Sequence, residues 1–294
     1  MAKTIAPSTG KKYGLKKVCE VWGMSRASVH RYLKPDKQPA CKRGRKPIQE
    51  TGRLLEHVRA DLKSSPFRGE GHRKVFARLR RSGIRVGRNR LLNIMREHQL
   101  LSPHRSLYRP PNPHDGRITT DEPNKMWGSD GTKLQTLEDG WVWVFSVTEH
   151  WNSECMGWHV CKMGDRFAAL EPVAQAVRRA YGSLDKGVAK GLRLRIDNGS
   201  QYTSDYFLQQ LRHWGVESSF GLVRQPETNE VAERFHRTLK DQILNGRVFK
   251  NVDEVREAVG QFVRIYNEQW LVAKRDYQSP LEARWNHEKL RRAA

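Results

Sequence analysis

The sequence predicts an α/β domain preceded by helical, strongly basic segments, and three observations lead to this prediction. The chain of 294 residues carries 54 Lys and Arg against 32 Asp and Glu, a net charge of +22. Residues 1–120 hold 29 basic and 8 acidic residues, whereas residues 121–294 hold 25 and 24. From residue 125 onward, the pattern is three strands, helix, strand, helix, strand, helix, which is typical of α/β folds.

The uneven charge indicates the kind of partner. A basic excess confined to one part of a chain is typical of proteins that bind a polyanion, most often nucleic acid. A membrane surface is the weaker alternative, because no basic run lies beside a long apolar anchor. The longest apolar run, residues 141–147, is too short to span a bilayer, and the N-terminus lacks the apolar segment of a signal peptide. We therefore expect a cytoplasmic protein.

The cysteines give no sign of a structural metal site. They lie at positions 19, 41, 155 and 161, with no CxxC pair and no His/Cys cluster at zinc-binding spacing. Disulfide bonds are not expected in an intracellular chain of this kind.

Residues 1–40 contain a predicted helix-turn-helix. The stretch LKKVCEVWGMSRASVHRYL predicts a helix, a turn at Gly23 and a second helix capped by Ser25. In that geometry the second helix enters the major groove of DNA. It would offer Arg26, Ser28, His30 and Arg31. The alternative is an ordinary helical hairpin with a solvated polar face, and the surrounding positive charge favours DNA binding.

Residues 41–49 form a short basic segment, in which CKRGRKP combines Arg43 and Arg45 with a glycine and a proline. Such an extended segment suits a narrow minor groove, where the negative potential attracts arginine. A solvated basic linker explains the same composition equally well, and one segment can serve as both.

Residues 50–101 predict a second helical DNA-binding domain. Its helices are expected at about 50–64, 72–82 and 88–99. Arg88, Asn89 and Arg90 begin the last of these helices and are the candidate DNA contacts. The alternative is a basic surface that neutralises phosphates without reading bases. Residues 102–124 contain five prolines and are expected to form an extended linker.

Two predicted strands of the α/β part end in an acidic residue. KMWGSDGT predicts a strand that ends in Asp130, and GLRLRID predicts one that ends in Asp197. Taken alone, Asp197-Asn-Gly is typical of a turn. A hairpin turn would lead into another strand, but a helix start at Ser204 follows. This order places the acid at the carboxyl end of a strand, where α/β folds carry their chemistry.

Periodicity predicts the remaining elements. They are two hairpin-paired strands in GWVWVFSVTEH and ECMGWHVCKM, a helix at 165–181 kinked at Pro172, a helix at 204–213 stopped by Gly215, a strand at 216–220 and a helix at about 229–245. Glu230 and Glu233 lie on the last helix, beside an apolar stripe of Ala232, Phe235, Leu239 and Ile243. Either glutamate could simply form an ion pair on a solvated face, as Glu233 could with Arg237.

The three acids and their flanking residues resemble a known family. Asp130 in WGSDGT, Asp197 in RIDNGSQYTS and Glu233 in PETNEVAERFHRTLK are similar to the Asp-Asp-Glu core of retroviral-integrase-like transposases. Residues 198–232, 35 in all, separate the last two acids, which is the spacing of the D,D(35)E group. The pattern is most similar to the catalytic, OrfB-type transposases of bacterial insertion sequences, over roughly residues 50–285. The family's Arg-Pro-His motif is absent, because EQWLVAKR stands between Tyr266-Asn267 and Pro280-Leu281-Glu282.

The resemblance implies an RNase H-like catalytic core, a mixed five-stranded sheet with helices, preceded by all-α helix-turn-helix DNA-binding domains. It implies two Mg²⁺ ions about 4 Å apart, for which Mn²⁺ would substitute, and carboxylate oxygens suit such ions. Asp130 would bridge both ions, Asp197 would hold one and Glu233 the other. Around them, Asn198, Gln201, Arg237 and Lys240 would contact DNA. Water as the nucleophile would nick a 3′ end, and the freed 3′-hydroxyl would carry out strand transfer.

The predicted organisation has six segments. They are a helix-turn-helix at 1–40, a basic linker at 41–49, a helical domain at 50–101, a proline-rich linker at 102–124, the catalytic core at 125–246 and a C-terminal helical extension at 247–294. The expected partners are double-stranded DNA, further copies of the chain and an upstream-frame protein, in a bacterial, nucleoid-associated setting. Two other functions stay open: a DNA-binding regulator without catalysis, and a nuclease that cuts without joining.

Overall fold

The computed structural model describes residues 4–33, 50–103, 120–220 and 229–293. The chain divides into two compact units, Met1–Ile48 and Gln49–Ala294. In the first unit, α1 (Leu15–Val21) and α2 (Arg26–Leu33) flank a turn in which Gly23 has φ +61°. This is the predicted helix, turn, helix.

Three helices open the second unit, as the sequence predicts. They are α3 (Thr51–Ser64), α4 (His72–Arg81) and α5 (Arg88–Glu97). Their apolar faces enclose a small core that includes Leu54, Val75 and Leu91. The side chain of Phe67, between α3 and α4, packs against Trp270 near the C-terminus, with ring centroids 4.8 Å apart. The three helices are thus attached to the rest of the unit by apolar contact.

A five-stranded mixed sheet forms the centre of the second unit, in the order β3-β2-β1-β4-β5. The strands are β1 (Met126–Thr136), β2 (Gly140–Glu149), β3 (Cys155–Cys161), β4 (Arg193–Ile196) and β5 (Glu217–Phe220). β1, β2 and β3 are antiparallel, and β4 and β5 continue the sheet parallel to β1. This is the sheet of an RNase H-like fold, as the resemblance implies.

Helices cover both faces of the sheet. On one face lie α6 (Arg166–Tyr181), α7 (Ser200–Thr203) and α8 (Asp205–Trp214). On the other lie α9 (Glu230–Leu239) and α10 (Val252–Gln269), and α11 (Pro280–Ala293) packs on α10. Alternate residues of β2 serve the two cores, Phe145 and Val147 on the α6 side and Val142 and Val144 on the α10 side.

Two predictions about element ends are wrong. β1 does not end at Asp130 but continues to Thr136, because β2 pairs with it over its whole length, up to Thr136 opposite Gly140. The helix expected at about 229–245 is α-helical only to Leu239. A π-helical turn follows at Lys240–Leu244, and the Asn245 N–H bonds the Lys240 carbonyl at 2.7 Å. Such turns are rare and often lie at functional sites.

The contact between β3 and α6 leaves no room for a side chain at Gly157. A Cβ there would lie 2.1 Å from the Pro172 carbonyl oxygen, which is backbone and cannot rotate away. We expect Gly157→Ala to lower the free energy of unfolding by about 2–3 kcal/mol, measured by urea unfolding. Gly52→Ala in α3 is the matched control, since a Cβ there meets nothing within 4 Å. An equal unfolding midpoint in both variants would contradict this packing.

None of the helices in the described ranges is long and apolar enough to cross a lipid bilayer.

Candidate active site

The pairing of β1 with β4 brings Asp130 and Asp197 side by side. The two strands run parallel, with Gly128 opposite Arg195. Asp130 lies two residues beyond Gly128, and Asp197 lies two residues beyond Arg195, just after the end of β4. Neighbouring strands are about 4.8 Å apart. The pairing therefore brings together two acids that are separated by 66 residues of sequence, and the charge of Asp197 acts on Asp130.

Asp130 is half-buried, and its Oδ1 accepts a hydrogen bond from the Gly131 N–H at 2.8 Å. Burial, with a further contribution from the charge of Asp197, raises the pKa of Asp130 to about 6. The Gly131 N–H and the Lys240 ammonium act in the opposite direction. The ionised form of this carboxyl is thus less favourable than in an ordinary aspartate, and a nearby cation would offset the cost.

Asp197 lies in a strand-to-helix connection, as the sequence predicts. The Gly199 N–H donates to Asp197 Oδ1 at 2.8 Å, which closes an Asx turn, and α7 begins at the next residue. The Gln201 side chain lies beside this turn. Its Nε2 and Asp197 Oδ1 are both close to Gly199, at 2.6 and 2.9 Å from the position that a Cβ on this glycine would occupy. α8 follows, with its N-terminus capped by Ser204 and Gly215 at its C-terminal end.

Glu233 lies on α9, next to the buried apolar stripe of this helix. Ala232 and Phe235 are buried, whereas Glu233 is half-buried. Burial raises the pKa of Glu233, the Asp130 carboxylate adds to the effect, and Arg237 opposes it. Glu230, by contrast, forms an ion pair with the exposed Arg234 at 3.4 Å. The carboxylates of Glu233 and Asp130 are thus close enough to interact electrostatically.

The three carboxylates share one region without converging on one point. In the part of the chain that the structure describes, no three His, Cys, Asp or Glu side chains lie close enough together to hold a metal ion. Carboxylates repel one another when no cation lies between them. Their oxygens are the ligands that Mg²⁺ and Mn²⁺ prefer, and a positive charge beside Asp130 would offset the burial that raises its pKa. The chemistry of the donor set therefore fits a divalent cation.

Buried polar contacts attach the acid-bearing segments to β1. The Ser129 hydroxyl donates to the Tyr202 hydroxyl on α7, three residues after Gly199, at 3.2 Å. Asn229, just before α9, donates through Nδ2 to the Ser129 carbonyl at 3.0 Å. The parallel pairing of β1 with β4 ends at Gly128, so backbone groups beyond it need partners other than β4.

His236 makes a further contact with Asp130. The sequence did not indicate this histidine as a functional residue. Its Nε2 lies 3.1 Å from the Asp130 carbonyl oxygen and 2.9 Å from the Ser146 hydroxyl. Burial, with Lys240 adding to it, lowers the pKa of His236 to about 4, so the ring is neutral at pH 7. The sequence signal was a polar residue on the apolar stripe, four residues after Ala232 and three before Leu239.

Four predicted DNA contacts lie next to the acids, namely Asn198, Gln201, Arg237 and Lys240. Arg237 is exposed and lowers the pKa of Glu233, and Lys240 lowers that of Asp130. Lys240 also begins the π-helical turn, which changes the direction of the following side chains relative to α9. Asn198 is exposed in the turn after Asp197, next to Gln201.

The remaining predicted DNA contacts belong to α5, to α2 and to the segment outside the described residues. Arg88 and Asn89 are exposed at the start of α5, whereas Arg90 is half-buried and donates to Thr51 Oγ1 at 3.2 Å. Arg73, Arg88 and Arg96 together add to the effect of burial in lowering the pKa of His72, so they form one basic cluster. In the first unit, α2 exposes Arg26, Ser28, His30 and Arg31. Arg43 and Arg45 lie outside the described residues.

Comparison with known proteins agrees with this fold. Two models described as "Integrase core domain" match residues 120–226 and 214–271, which together span just over half of the chain. The transposase InsD of an Escherichia coli insertion element, IS2A/D/F/H/I/K, is 27% identical over 282 residues, covering 92% of this chain and 90% of that protein. A putative transposase for insertion sequence element IS986/IS6110 from Mycobacterium tuberculosis is 27% identical over 230 residues, covering 74% and 81%.

Solved retroviral integrases also show similarity. The catalytic core domain of BIV integrase aligns with 57% of this chain and 99% of its own, at 17% identity and a TM-score of 0.39. The HTLV-2 integrase catalytic core domain in complex with magnesium aligns with 51% and 89%, at 15% identity and a TM-score of 0.37. The matching domain models and the near full-length relatives lead to one assignment. The chain belongs to the retroviral-integrase-like superfamily and, within it, to the transposases of bacterial insertion sequences.

Proposed function

We propose that the chain is a Mg²⁺-dependent DNA transposase of the Asp-Asp-Glu type. It would bind the ends of an insertion sequence, nick them at their 3′ ends and join them to target DNA. The observation that carries the proposal is that the pairing of β1 with β4 brings Asp130 and Asp197 together, while Asp130 also acts electrostatically on Glu233. The names of the relatives, which are transposases of insertion elements, support the same activity.

Asp130, Asp197 and Glu233 would hold Mg²⁺, or Mn²⁺ in its place, and we propose that two such ions bind. When bound, a divalent cation supplies a more acidic attacking hydroxyl and a counter-charge for the leaving 3′ oxygen. The chain's own residues bind and orient the DNA. Gln201 and Asn198 lie beside Asp197, where amide groups can bond a phosphate. No side-chain nucleophile is required, since water or a DNA 3′-hydroxyl attacks the phosphorus.

The basic surfaces would supply DNA affinity. Arg237 and Lys240 lie next to the carboxylates and would neutralise phosphates close to the scissile bond. In the cluster of Arg73, Arg88 and Arg96, Arg73 and Arg88 lie in the first turns of α4 and α5, where unpaired backbone N–H groups favour anions. α2 would enter a major groove with Arg26 and Arg31. Together these surfaces would recognise the ends of the element.

The joining of two ends requires two active sites, so we propose that the chain acts as a homo-oligomer on DNA. A protein from an upstream reading frame is a further proposed partner, either fused to the chain or acting beside it. The setting would be the bacterial cytoplasm, on the nucleoid.

The proposal is tested with the DNA ends that flank the gene. Labelled duplexes that contain these ends are incubated with the purified full chain and Mg²⁺ or Mn²⁺, and the products are separated on denaturing gels. We expect metal-dependent nicks at the 3′ ends together with longer, joined products. EDTA should abolish both.

Each other outcome changes the proposal in a defined way. Nicks without joined products would indicate a nuclease rather than a transposase. DNA binding with no cleavage in either metal, also after addition of the upstream-frame protein, would contradict catalysis and leave a DNA-binding protein.

A further inference from the structure

We propose that His236 is a positioning residue, whose imidazole holds the helix that carries Glu233 against the backbone of Asp130. The inference rests on the proposed function, because it assigns a role within the same carboxylate site. It adds that the separation of Glu233 from Asp130 is set by a buried hydrogen bond and not by the carboxylates themselves.

The contact joins three elements at one point. His236 Nε2 lies 3.1 Å from the Asp130 carbonyl oxygen and 2.9 Å from Ser146 Oγ. Asp130 on β1 and Ser146 on β2 are directly opposite each other in the antiparallel ladder. His236 Nε2 on α9 is therefore held against two opposite residues of β1 and β2, one of which is Asp130.

The protonation of the ring follows from its surroundings. Nδ1 of His236 is buried and has no hydrogen-bond partner in the described structure. A proton on Nδ1 would be unsatisfied, whereas a proton on Nε2 can be donated to the Asp130 carbonyl, which accepts only. We therefore assign the neutral tautomer with the proton on Nε2. In this state the ring is a donor to the backbone of Asp130 and leaves its carboxylate available.

Asn229 provides a second attachment on the other side of Glu233. Its Nδ2 donates to the Ser129 carbonyl at 3.0 Å, and Ser129 directly precedes Asp130. Glu233 lies four residues after Asn229 and three before His236. The segment that carries the third acid is thus held at both ends by donors to two consecutive carbonyls of β1. This arrangement restricts sliding or rotation of α9, which would move Glu233 relative to Asp130.

A purely structural histidine would also be buried and bonded, so the test must separate position from stability. His236→Gln keeps an N–H donor near the place of Nε2, whereas His236→Leu keeps the bulk and removes the donor. Asn267→Leu is the matched control. Asn267 lies on α10 and bonds the Cys155 backbone at 2.9 Å in both directions, a buried contact of the same kind on β3.

Two readouts are measured on the full chain. The first is the single-turnover rate of end nicking as a function of Mg²⁺ concentration, and the second is Mn²⁺ affinity from the electron paramagnetic resonance signal of free Mn²⁺. Losing a residue that orients metal ligands costs about 10–100-fold in affinity or rate. We expect that loss in His236→Leu, together with a higher Mg²⁺ requirement, and a change within about threefold in His236→Gln. Asn267→Leu should lower the unfolding temperature and leave the rate and Mn²⁺ affinity per folded molecule unchanged.

The result that overturns the proposal is equally specific. His236→Leu with parental rate and parental Mn²⁺ affinity would show that the contact does not position the acids. The same conclusion follows if His236→Leu and His236→Gln lose activity equally and if the loss is explained by their lower unfolding temperatures. Asn267→Leu shows how much activity is lost through a lower unfolding temperature alone. If His236→Leu does not fold, Asn229→Ala removes the other attachment and must weaken Mn²⁺ binding.

Failure of the proposed catalytic function can be distinguished from failure of the role proposed for His236. If the parent protein binds Mn²⁺ but does not nick DNA, the catalytic proposal falls, and the Mn²⁺ affinities of the variants still decide the role of His236.

Discussion

Glu233→Gln is expected to reduce metal-dependent nicking and joining of DNA ends by about 10³-fold or more. The substitution removes one carboxylate charge and one metal ligand while keeping the side-chain size. A loss of about 4 kcal/mol of transition-state stabilisation corresponds to this factor, and a metal ion contributes several kcal/mol. Rates are measured in single-turnover assays on labelled duplex ends. Asp130→Asn and Asp197→Asn should have losses of the same order, because each removes a ligand of the same site.

Glu230→Gln is the matched control on the same helix. Glu230 pairs with Arg234 at the surface, at 3.4 Å, so its substitution should change the rate by less than about threefold. DNA affinity, measured by fluorescence anisotropy, should be unchanged or higher in Glu233→Gln, since a negative charge near the DNA is lost. Equal losses in Glu230→Gln and Glu233→Gln would contradict the assignment of Glu233.

Asp130→Asn is expected to stabilise the metal-free protein at pH 7. The pKa of Asp130 is raised to about 6 in the folded chain, against 3.8 for an ordinary aspartate, chiefly by burial. The folded state therefore binds this proton more tightly than the unfolded state, and stability is lost as pH rises from about 4 through 6. A shift of about two units corresponds to about 3 kcal/mol. Asparagine carries no charge and avoids this cost.

The measurement is urea unfolding of parent and Asp130→Asn at pH 4, 5, 6 and 7 in EDTA. The variant should be more stable by up to about 3 kcal/mol at pH 7, and the difference should shrink towards pH 4, which is close to the pKa of Asp130 in the unfolded chain. Addition of Mg²⁺ should raise the stability of the parent more than that of the variant, since a ligand stabilises only the form that binds it. A parent that is the more stable protein at pH 7 in EDTA would contradict this account.

Local sequence was sufficient for most of the elements. The alternation in GWVWVFSVTEH and the 3.6-residue period in NEVAERFHRTLK predict β2 and α9, because side-chain direction repeats every two or 3.6 residues. Asp197 followed by a helix start predicts the strand-to-helix turn that the structure contains. The family resemblance added the mixed five-stranded sheet, which no local rule provides.

Contacts over long sequence separations could not be predicted in this way. β1 extends to Thr136 because β2 pairs with it that far, and no residue within KMWGSDGT carries that information. The π-helical turn at Lys240–Leu244 follows a stretch whose apolar period predicts an ordinary helix. The bonds of Asn229 to Ser129 and of His236 to Asp130 span 100 and 106 residues. These contacts depend on packing of α9 against the sheet.

The sequence by itself determined which residues are acidic, which lie on strands or helices, and that the positive charge is concentrated before residue 121, since these follow from composition and local periodicity. Only the tertiary structure decided that Asp130, Asp197 and Glu233 are close enough to interact electrostatically, and that His236 contacts the Asp130 backbone. The physical reason is that strand register and helix packing are set by the burial of two apolar cores, which involves residues from the whole second unit.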